Sequence, residues 1–310
     1  MSAALDYRQP LPSRTTQRDR LLLVLWFLGG LYASVAIVGW RTALGYDAHA
    51  YWLAWHHSPM YGLPPNTADA YLYSPAFAQV LWPLAQLPWP LFLAAWTVAG
   101  FALYAWLLRP LGRALAAPLL LFCLPQAMVG NIWPLLAVVL VFGFRRPGLW
   151  ALPLLTKVTA GVGVVWFAAR GEWRNLARVL VPTVLVTAVS VAISPQLWID
   201  WLRILDGGGA GGSAAGGYDI PLVVRLPVAF ALAVYAARRS RPAVLAAAMA
   251  LACPVFALSY VMSNVFLLTA LPRLREMHAH SDGARSREKA AATCLVVGET
   301  EPPGPRLSGR

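Results

Sequence analysis

The chain has 310 residues, of which 59% are hydrophobic and only 12% are charged. A soluble domain carries roughly 25% charged residues, and a soluble fold of this length has no way to bury so much apolar surface. These values exclude a soluble enzyme, a DNA-binding protein and a disordered scaffold. We attribute the formal net charge of +12 to arginines on the cytoplasmic loops of a multi-pass membrane protein, so no nucleic-acid partner is predicted.

Apolar runs along the chain predict an all-α bundle of transmembrane helices. The first run, Leu21–Trp40, is long enough to cross a bilayer core of about 30 Å. It follows a basic segment and shows no small-residue cleavage pattern, so it indicates an anchor rather than a signal peptide. The later runs are Pro90–Leu108, Ala114–Met128, Ile132–Phe144, Leu149–Ala169, Val179–Trp198, Leu222–Ala237 and Ala243–Leu271.

Two of these runs do not read as simple spans. Leu149–Ala169 has basic residues at both ends, and Lys157 and two glycines interrupt its centre. This pattern predicts two short helices that enter and leave from the cytoplasm, because broken backbone is tolerated where protein or water covers it. Ala243–Leu271 is long for one span and carries Pro254 near its middle, which favours a hairpin. The expected architecture has about eight full crossings plus the broken pair.

The positions of the basic residues predict the orientation. Sixteen arginines fall on segments that fit the cytoplasmic side: Arg8, Arg14, Arg18, Arg20, Arg109, Arg113, Arg145, Arg146, Arg170, Arg174, Arg178, Arg238, Arg239, Arg241, Arg273 and Arg275. The external side holds Arg41, Arg203 and Arg225 against Asp47, Asp69, Asp200, Asp206 and Asp219. Both termini are therefore expected in the cytoplasm and the chain in the plasma membrane.

The same reading divides the chain into three parts. Residues 1–20 form a basic cytoplasmic N-tail, residues 21–272 the transmembrane domain, and residues 273–310 a disordered cytoplasmic tail. Two segments of the middle part are expected to be external loops. The first spans 41–89 and is rich in aromatic residues. The second spans 199–220 and contains a glycine run, which fits either a lid over a site or a disordered connector.

The first external loop contains the best candidate for chemistry. Asp47 follows the first span directly and lies among aromatic residues typical of the membrane rim. A carboxylate in this place is suited to accept a proton from a bound hydroxyl. The alternative is that Asp47 caps a short helix, since Ala48-His49-Ala50-Tyr51 follows it.

Other polar residues suggest weaker hypotheses. His49, His56 and His57 share the loop, but they lack a familiar metal-ligand spacing, so we expect phosphate hydrogen bonding and no metal. Residues 81–87 are too short to span and predict an interfacial helix. Lys157 lies within the membrane, where an ionisable residue indicates a functional site. The alternative is that Lys157 extends to the cytoplasmic interface.

The order of several motifs resembles glycosyltransferase family 87. These are Asp47 with Tyr51, Tyr71-Leu72-Tyr73-Ser74-Pro75-Ala76-Phe77 leading to Leu84-Ala85-Gln86-Leu87-Pro88, Gly130-Asn131, Leu154-Leu155-Thr156-Lys157-Val158-Thr159 followed by Arg170-Gly171-Glu172-Trp173-Arg174, and Cys253-Pro254. The resemblance covers roughly residues 20 to 270. The family consists of multi-pass C-type enzymes, including actinobacterial mannosyltransferases of the cell envelope that use polyprenyl-phosphate mannose.

The resemblance implies a hexosyltransferase without a cofactor. Its donor would be a polyprenyl-phosphate sugar, with mannose the first expectation, and its acceptor a lipid or glycan hydroxyl on the external face, among membrane lipids. Asp47 would be the general base of an inverting displacement. The expected donor-phosphate and substrate-binding residues are His49, His56, Arg203, Arg225, Tyr51, Tyr73 and Lys157. The alternatives are a transporter or flippase built around Lys157, and a non-catalytic partner in envelope assembly.

Overall fold

A computed structural model of the chain describes residues 17–39, 44–64, 67–206, 220–253 and 266–277. Throughout these ranges the regular structure is helical and no strand occurs, which confirms the all-α fold class. Several predictions lie outside the described residues. They concern most of the basic N-tail, Arg41, the glycine run of the second external loop, the hairpin turn at Pro254 and the tail from residue 278.

The α-helices are α1 (Gln17–Gly39), α2 (Tyr46–Leu53), α3 (Pro75–Ala85), α4 (Trp89–Leu108), α5 (Arg113–Val129), α6 (Trp133–Phe142), α7 (Ala151–Leu155), α8 (Val165–Ala169), α9 (Trp173–Ile193), α10 (Pro195–Asp206), α11 (Leu222–Arg238), α12 (Pro242–Leu251) and α13 (271–277). Short 3-10 segments occupy Arg109–Leu111, Pro147–Trp150, Val158–Val164 and Phe266–Ala270. The predicted interfacial helix at 81–87 begins earlier than expected, at the start of α3.

The chain divides into two compact units. The first comprises Met1–Leu72 and Ala78–Ile132, and the second comprises Tyr73–Phe77 and Trp133–Arg310. In the first unit α1 and α4 both pack on α5. In the second unit α11 packs on α12 and α8, and α9 packs on the 3-10 segment that precedes α7. The Ser74 hydroxyl donates to the Leu155 carbonyl over 2.5 Å. This bond attaches the segment Tyr73–Phe77 to the second unit.

Within the described residues, three helices are long and apolar enough to cross a membrane: α1, α4 with the 3-10 segment that extends it, and α9. Helices α5 and α6 would add a fourth span if they acted as one. The expected eight crossings are not confirmed. The apolar runs assigned to the others form shorter helices, with 17 residues in α11 and 10 in α12, and about 20 are needed to span the core.

The helix break predicted around Lys157 is confirmed. Helix α7 ends at Leu155, and both Thr156 and Lys157 have non-helical backbone angles before the following 3-10 segment. Gly163 in that segment lies against the buried Trp150, and a Cβ at Gly163 would overlap the indole ring. The small residue thus allows a close approach that keeps this irregular stretch packed against protein.

A polar turn between α8 and α9 is tied together by Glu172. Its carboxylate accepts from Arg170 Nε over 2.6 Å and from Asn175 Nδ2 over 2.9 Å. Arg170 also donates to the Ala237 carbonyl over 3.0 Å, which links the turn to the end of α11. Partial burial raises the pKa of Glu172, but the hydrogen bonds from Arg170 and Asn175 and the Arg170 charge outweigh it and hold the pKa below its usual value.

The lowered pKa predicts a pH-dependent effect of Glu172→Gln. At pH 7 the variant should unfold at a lower temperature, with a loss of about 1 kcal/mol or less because the ion pair is partly exposed. The ionised carboxylate contributes stability above its unfolded pKa of about 4.3, and this contribution disappears as the pH falls through the folded pKa. Thermal unfolding of the detergent-solubilised protein measures the difference.

The control is Glu276→Gln, whose carboxylate accepts from Arg273 over 2.8 Å within a single helical turn. It should change the unfolding temperature less than Glu172→Gln does at pH 7. A Glu172→Gln difference that is undiminished in acid would contradict the assignment.

Candidate active site

Helix α2 begins after Gly45, at a position that only glycine fits. Gly45 has φ 73° and occupies the N-cap position, and a Cβ there would lie 2.8 Å from both Leu93 and Trp89 side chains. Its N–H donates to the Met128 carbonyl over 2.7 Å. The start of α2 is therefore attached to the end of α5.

Asp47 lies in the first turn of α2 and is not its cap. The N-cap residue is Gly45, and no side-chain cap bond is present, so the interpretation of Asp47 as a capping residue was wrong. The half-buried Asp47 carboxylate instead accepts a hydrogen bond from Asn131 Nδ2, with 2.5 Å between Nδ2 and Oδ2. A carboxylate in the first turn also benefits from the positive end of the helix dipole.

The turn that carries Asn131 packs directly on α2. Gly130 ends α5 with φ 83°, and its carbonyl accepts from Trp96 Nε1 over 2.7 Å. A Cβ at Gly130 would lie 2.5 Å from the Ala48 Cβ. Only glycine allows this approach, and the approach brings the Asn131 amide within reach of Asp47.

His49 forms a second polar pair at the same helix. Its Nδ1 lies 2.6 Å from Asp69 Oδ1. The imidazole stacks on Trp52 at 5.7 Å between ring centroids and meets Trp89 edge-on at 4.6 Å. His56 also stacks on Trp52, with 3.9 Å between the ring centroids. The arrangement is a cluster of aromatic and imidazole rings around α2, the helix that also carries Asp47.

Tyr51 completes the part of the predicted site that lies in the first unit. It is fully buried and contacts the Trp96 ring at 5.5 Å between centroids. The structure thus brings together four of the predicted site residues, Asp47, His49, Tyr51 and His56, on α2 and the turn that follows it. The other four, Tyr73, Lys157, Arg203 and Arg225, belong to the second unit.

Two cations of the second unit are held by specific contacts. The Lys157 ammonium lies over the Trp133 ring, 4.3 Å from its centroid. Arg225 is only 3% exposed, and its guanidinium donates to the carbonyls of Ile220, Leu251 and Cys253, each over 2.7 Å. Arg225 therefore secures the end of α12, whatever further role its charge has.

The remaining two predicted residues, Arg203 and Tyr73, contact neighbours close to them in the sequence. Arg203 is exposed and pairs with Asp200 over 3.1 Å on α10. Tyr73 packs on Phe77, with ring centroids 5.5 Å apart. Within the described ranges no group of three or more His, Cys, Asp or Glu side chains is placed to hold a metal ion.

Sequence reasoning missed two partners of the site. The sequence places Asn131 in a family-like motif without indicating a role for it, and shows Asp69 only as an external charge. Both contacts join residues far apart in the chain, at separations of 84 and 20 residues. A local signal existed for Asn131 alone, because a glycine and a polar amide interrupt two apolar runs there.

The fold and the site define a polytopic helical protein with a held carboxylate at one helix end. Residues 71–279 match the sequence profile of glycosyltransferase family 87, which is about two thirds of the chain. The protein belongs to this family and is a membrane glycosyltransferase. Asp47 precedes the matched segment, whereas Asn131 and Lys157 lie inside it. No curated protein and no solved structure shows significant similarity to the chain.

The close contact at Gly130 predicts that Gly130→Ala destabilises the first unit. The substitution combines an unfavourable φ with a steric overlap against Ala48, and we expect a loss of about 2–4 kcal/mol. Thermal unfolding in detergent or nanodiscs measures it.

Gly171→Ala is the control. Gly171 also has a positive φ, 68°, but a Cβ there meets nothing within 4 Å, so only backbone strain of about 1 kcal/mol should appear. Equal losses for the two variants would contradict the packing argument.

Proposed function

We propose that this glycosyltransferase transfers a hexose, mannose first, from a polyprenyl-phosphate donor to a lipid or glycan hydroxyl at the external face of the plasma membrane. Asp47 acts as the general base and the anomeric configuration inverts. The observation that carries the proposal is the half-buried Asp47 carboxylate at the start of α2, held by Asn131. Both termini lie in the cytoplasm in this proposal.

The proposed step is a single displacement. The acceptor oxygen attacks the anomeric carbon while Asp47 takes the hydroxyl proton, and the bond from the anomeric carbon to the phosphate oxygen breaks on the opposite face. The polyprenyl phosphate leaves with the bonding electrons and gains negative charge. A cation or hydrogen-bond donor near the departing phosphate lowers the barrier, and no cofactor is needed.

Several residues are candidates for substrate binding. On α2 and the turn after it, the imidazoles of His49 and His56 offer N–H donors. Tyr51 is fully buried and would act through its ring contact with Trp96. His49 is oriented by Asp69 over 2.6 Å, which makes it the best-held imidazole of the pair. Lys157, Arg203, Arg225 and Tyr73 remain candidates on the charge or ring that each carries. Arg225 ranks below Lys157 because three carbonyls already occupy its guanidinium.

The apolar part of the donor also has a plausible contact surface. Trp82 on α3 is half exposed, and Trp89 and Trp96 follow on α4. Aromatic side chains at such positions are typical of a membrane interface. We propose that the polyprenyl chain lies along these rings, with the surrounding lipid on its other side.

The proposal predicts that Asp47→Asn abolishes sugar transfer and leaves folding intact. The amide has nearly the same shape but accepts no proton at neutral pH, so the transfer rate should fall at least about 100-fold. The assay supplies radiolabelled polyprenyl-phosphate mannose and a membrane lipid extract as acceptor source, and measures label in the products. Equivalent glucose and galactose donors run in parallel to identify the sugar.

Asp206→Asn is the control, because Asp206 is an exposed aspartate at the end of α10 and its loss should change nothing. Wild-type activity in Asp47→Asn would refute the assigned base. A wild-type chain inactive with every polyprenyl-phosphate hexose would refute the donor class.

A further inference from the structure

We propose that Asn131 is a positioning residue for the transfer reaction: its side-chain amide holds Asp47 in one orientation and favours its ionised form. This inference rests on the proposed function of Asp47. Asn131 itself takes no proton and forms no bond to substrate. Its effect is exerted entirely through the Asp47 carboxylate.

The contact has the chemistry that such a role requires. The Asn131 Nδ2 donates to Asp47 Oδ2 over 2.5 Å. A hydrogen bond from a neutral amide stabilises a carboxylate and is lost when that oxygen carries a proton.

The amide is itself fixed before any substrate arrives. Backbone contacts hold the Gly130-Asn131 turn, through Trp96 Nε1 on the Gly130 carbonyl at 2.7 Å and the Gly45 N–H on the Met128 carbonyl at 2.7 Å. The turn also packs so closely on Ala48 that only glycine fits at position 130. Asn131 is therefore preorganised against α2, which is the condition under which a supporting side chain contributes to a reaction rate.

Folding stability alone does not account for an asparagine here. The Asn131 Oδ1 is buried and has no hydrogen-bond partner among the described residues. A buried acceptor left unsatisfied costs about 1–3 kcal/mol, and a leucine of similar volume would avoid that cost. The contact that Nδ2 makes with Asp47 is the one that explains an amide at this position.

A charge placed at residue 131 should act first on Asp47, because the Asn131 side chain contacts that carboxylate directly. Helices α4 and α5, which pack on α2, contribute Tyr104, Arg113 and Cys123 as their ionisable residues. Helix α2 adds Tyr46, His49 and Tyr51, and the Asp69 carboxylate faces His49.

The test compares Asn131→Ala and Asn131→Asp in the full-length protein in nanodiscs, with radiolabelled polyprenyl-phosphate mannose, or whichever hexose donor proves active. Asn131→Ala should lower kcat roughly 10- to 100-fold with the donor KM nearly unchanged. Asn131→Asp keeps the shape but places a second carboxylate beside Asp47. The acid limb of its pH–rate profile should therefore move to higher pH by about 1 unit or more.

Asn175 provides the matched control, because its Nδ2 makes the same kind of bond to the Glu172 carboxylate over 2.9 Å. Asn175→Ala and Asn175→Asp should leave kcat and the pH profile as in the wild type. If they reproduce the Asn131 effects, those effects are structural and the inference fails. It fails equally if both Asn131 variants keep wild-type kcat and an unmoved acid limb.

Folding is followed by thermal unfolding of each variant. If Asn131→Ala is unfolded, the nearly isosteric Asn131→Asp decides by its pH profile alone.

The Asp47→Asn result separates the two proposals. An inactive Asp47→Asn with normal Asn131 variants overturns the positioning role and leaves Asp47 as the base. An active Asp47→Asn overturns both.

Discussion

The candidate site depends on one close approach between two backbones. Where Gly130 meets Ala48, a Cβ on the glycine would be only 2.5 Å from the Ala48 Cβ. Because this approach is possible, the turn after α5 reaches the first turn of α2, and a side-chain amide is placed on a carboxylate 84 residues away in the chain. A second glycine, Gly45 at the start of α2, joins the same two segments through its N–H bond to the Met128 carbonyl. Gly45 and Gly130 thus fix the contact between Asn131 and Asp47 within an apolar unit.

In apolar surroundings, each polar group that lacks a partner lowers the stability of the fold. The described charges in this chain follow that rule in different ways. Arg225 satisfies its guanidinium with backbone carbonyls, Lys157 lies over an indole ring, and Glu172 is held by an arginine and an amide. The Asp47 carboxylate accepts a hydrogen bond from the neutral amide of Asn131. A neutral donor fixes a carboxylate without compensating its charge, which suits a group that must accept a proton.

The sequence predicted much of the local structure because local signals are strong in an apolar chain. The helical class and the break at Lys157 follow from composition and glycine positions. A short helix after Asp47 was one of two alternatives for that carboxylate, and the helix begins before Asp47 rather than after it. The number of crossings did not follow. Hydropathy marks where apolar residues occur, but only the backbone path shows where a helix ends, and runs such as Leu222–Ala237 form helices shorter than a bilayer core.

By itself, the sequence determined that this is a helical membrane protein with the family motifs, because each of these depends on residue type and short-range order. It also proposed Asp47 as the candidate base. The tertiary structure alone decided which groups meet. It excluded Asp47 as a cap, paired it with Asn131, and paired His49 with Asp69. It also assigned Arg225 to three carbonyls of the backbone. Such contacts join residues distant in the chain, and they depend on how closely helices approach, which no local pattern records.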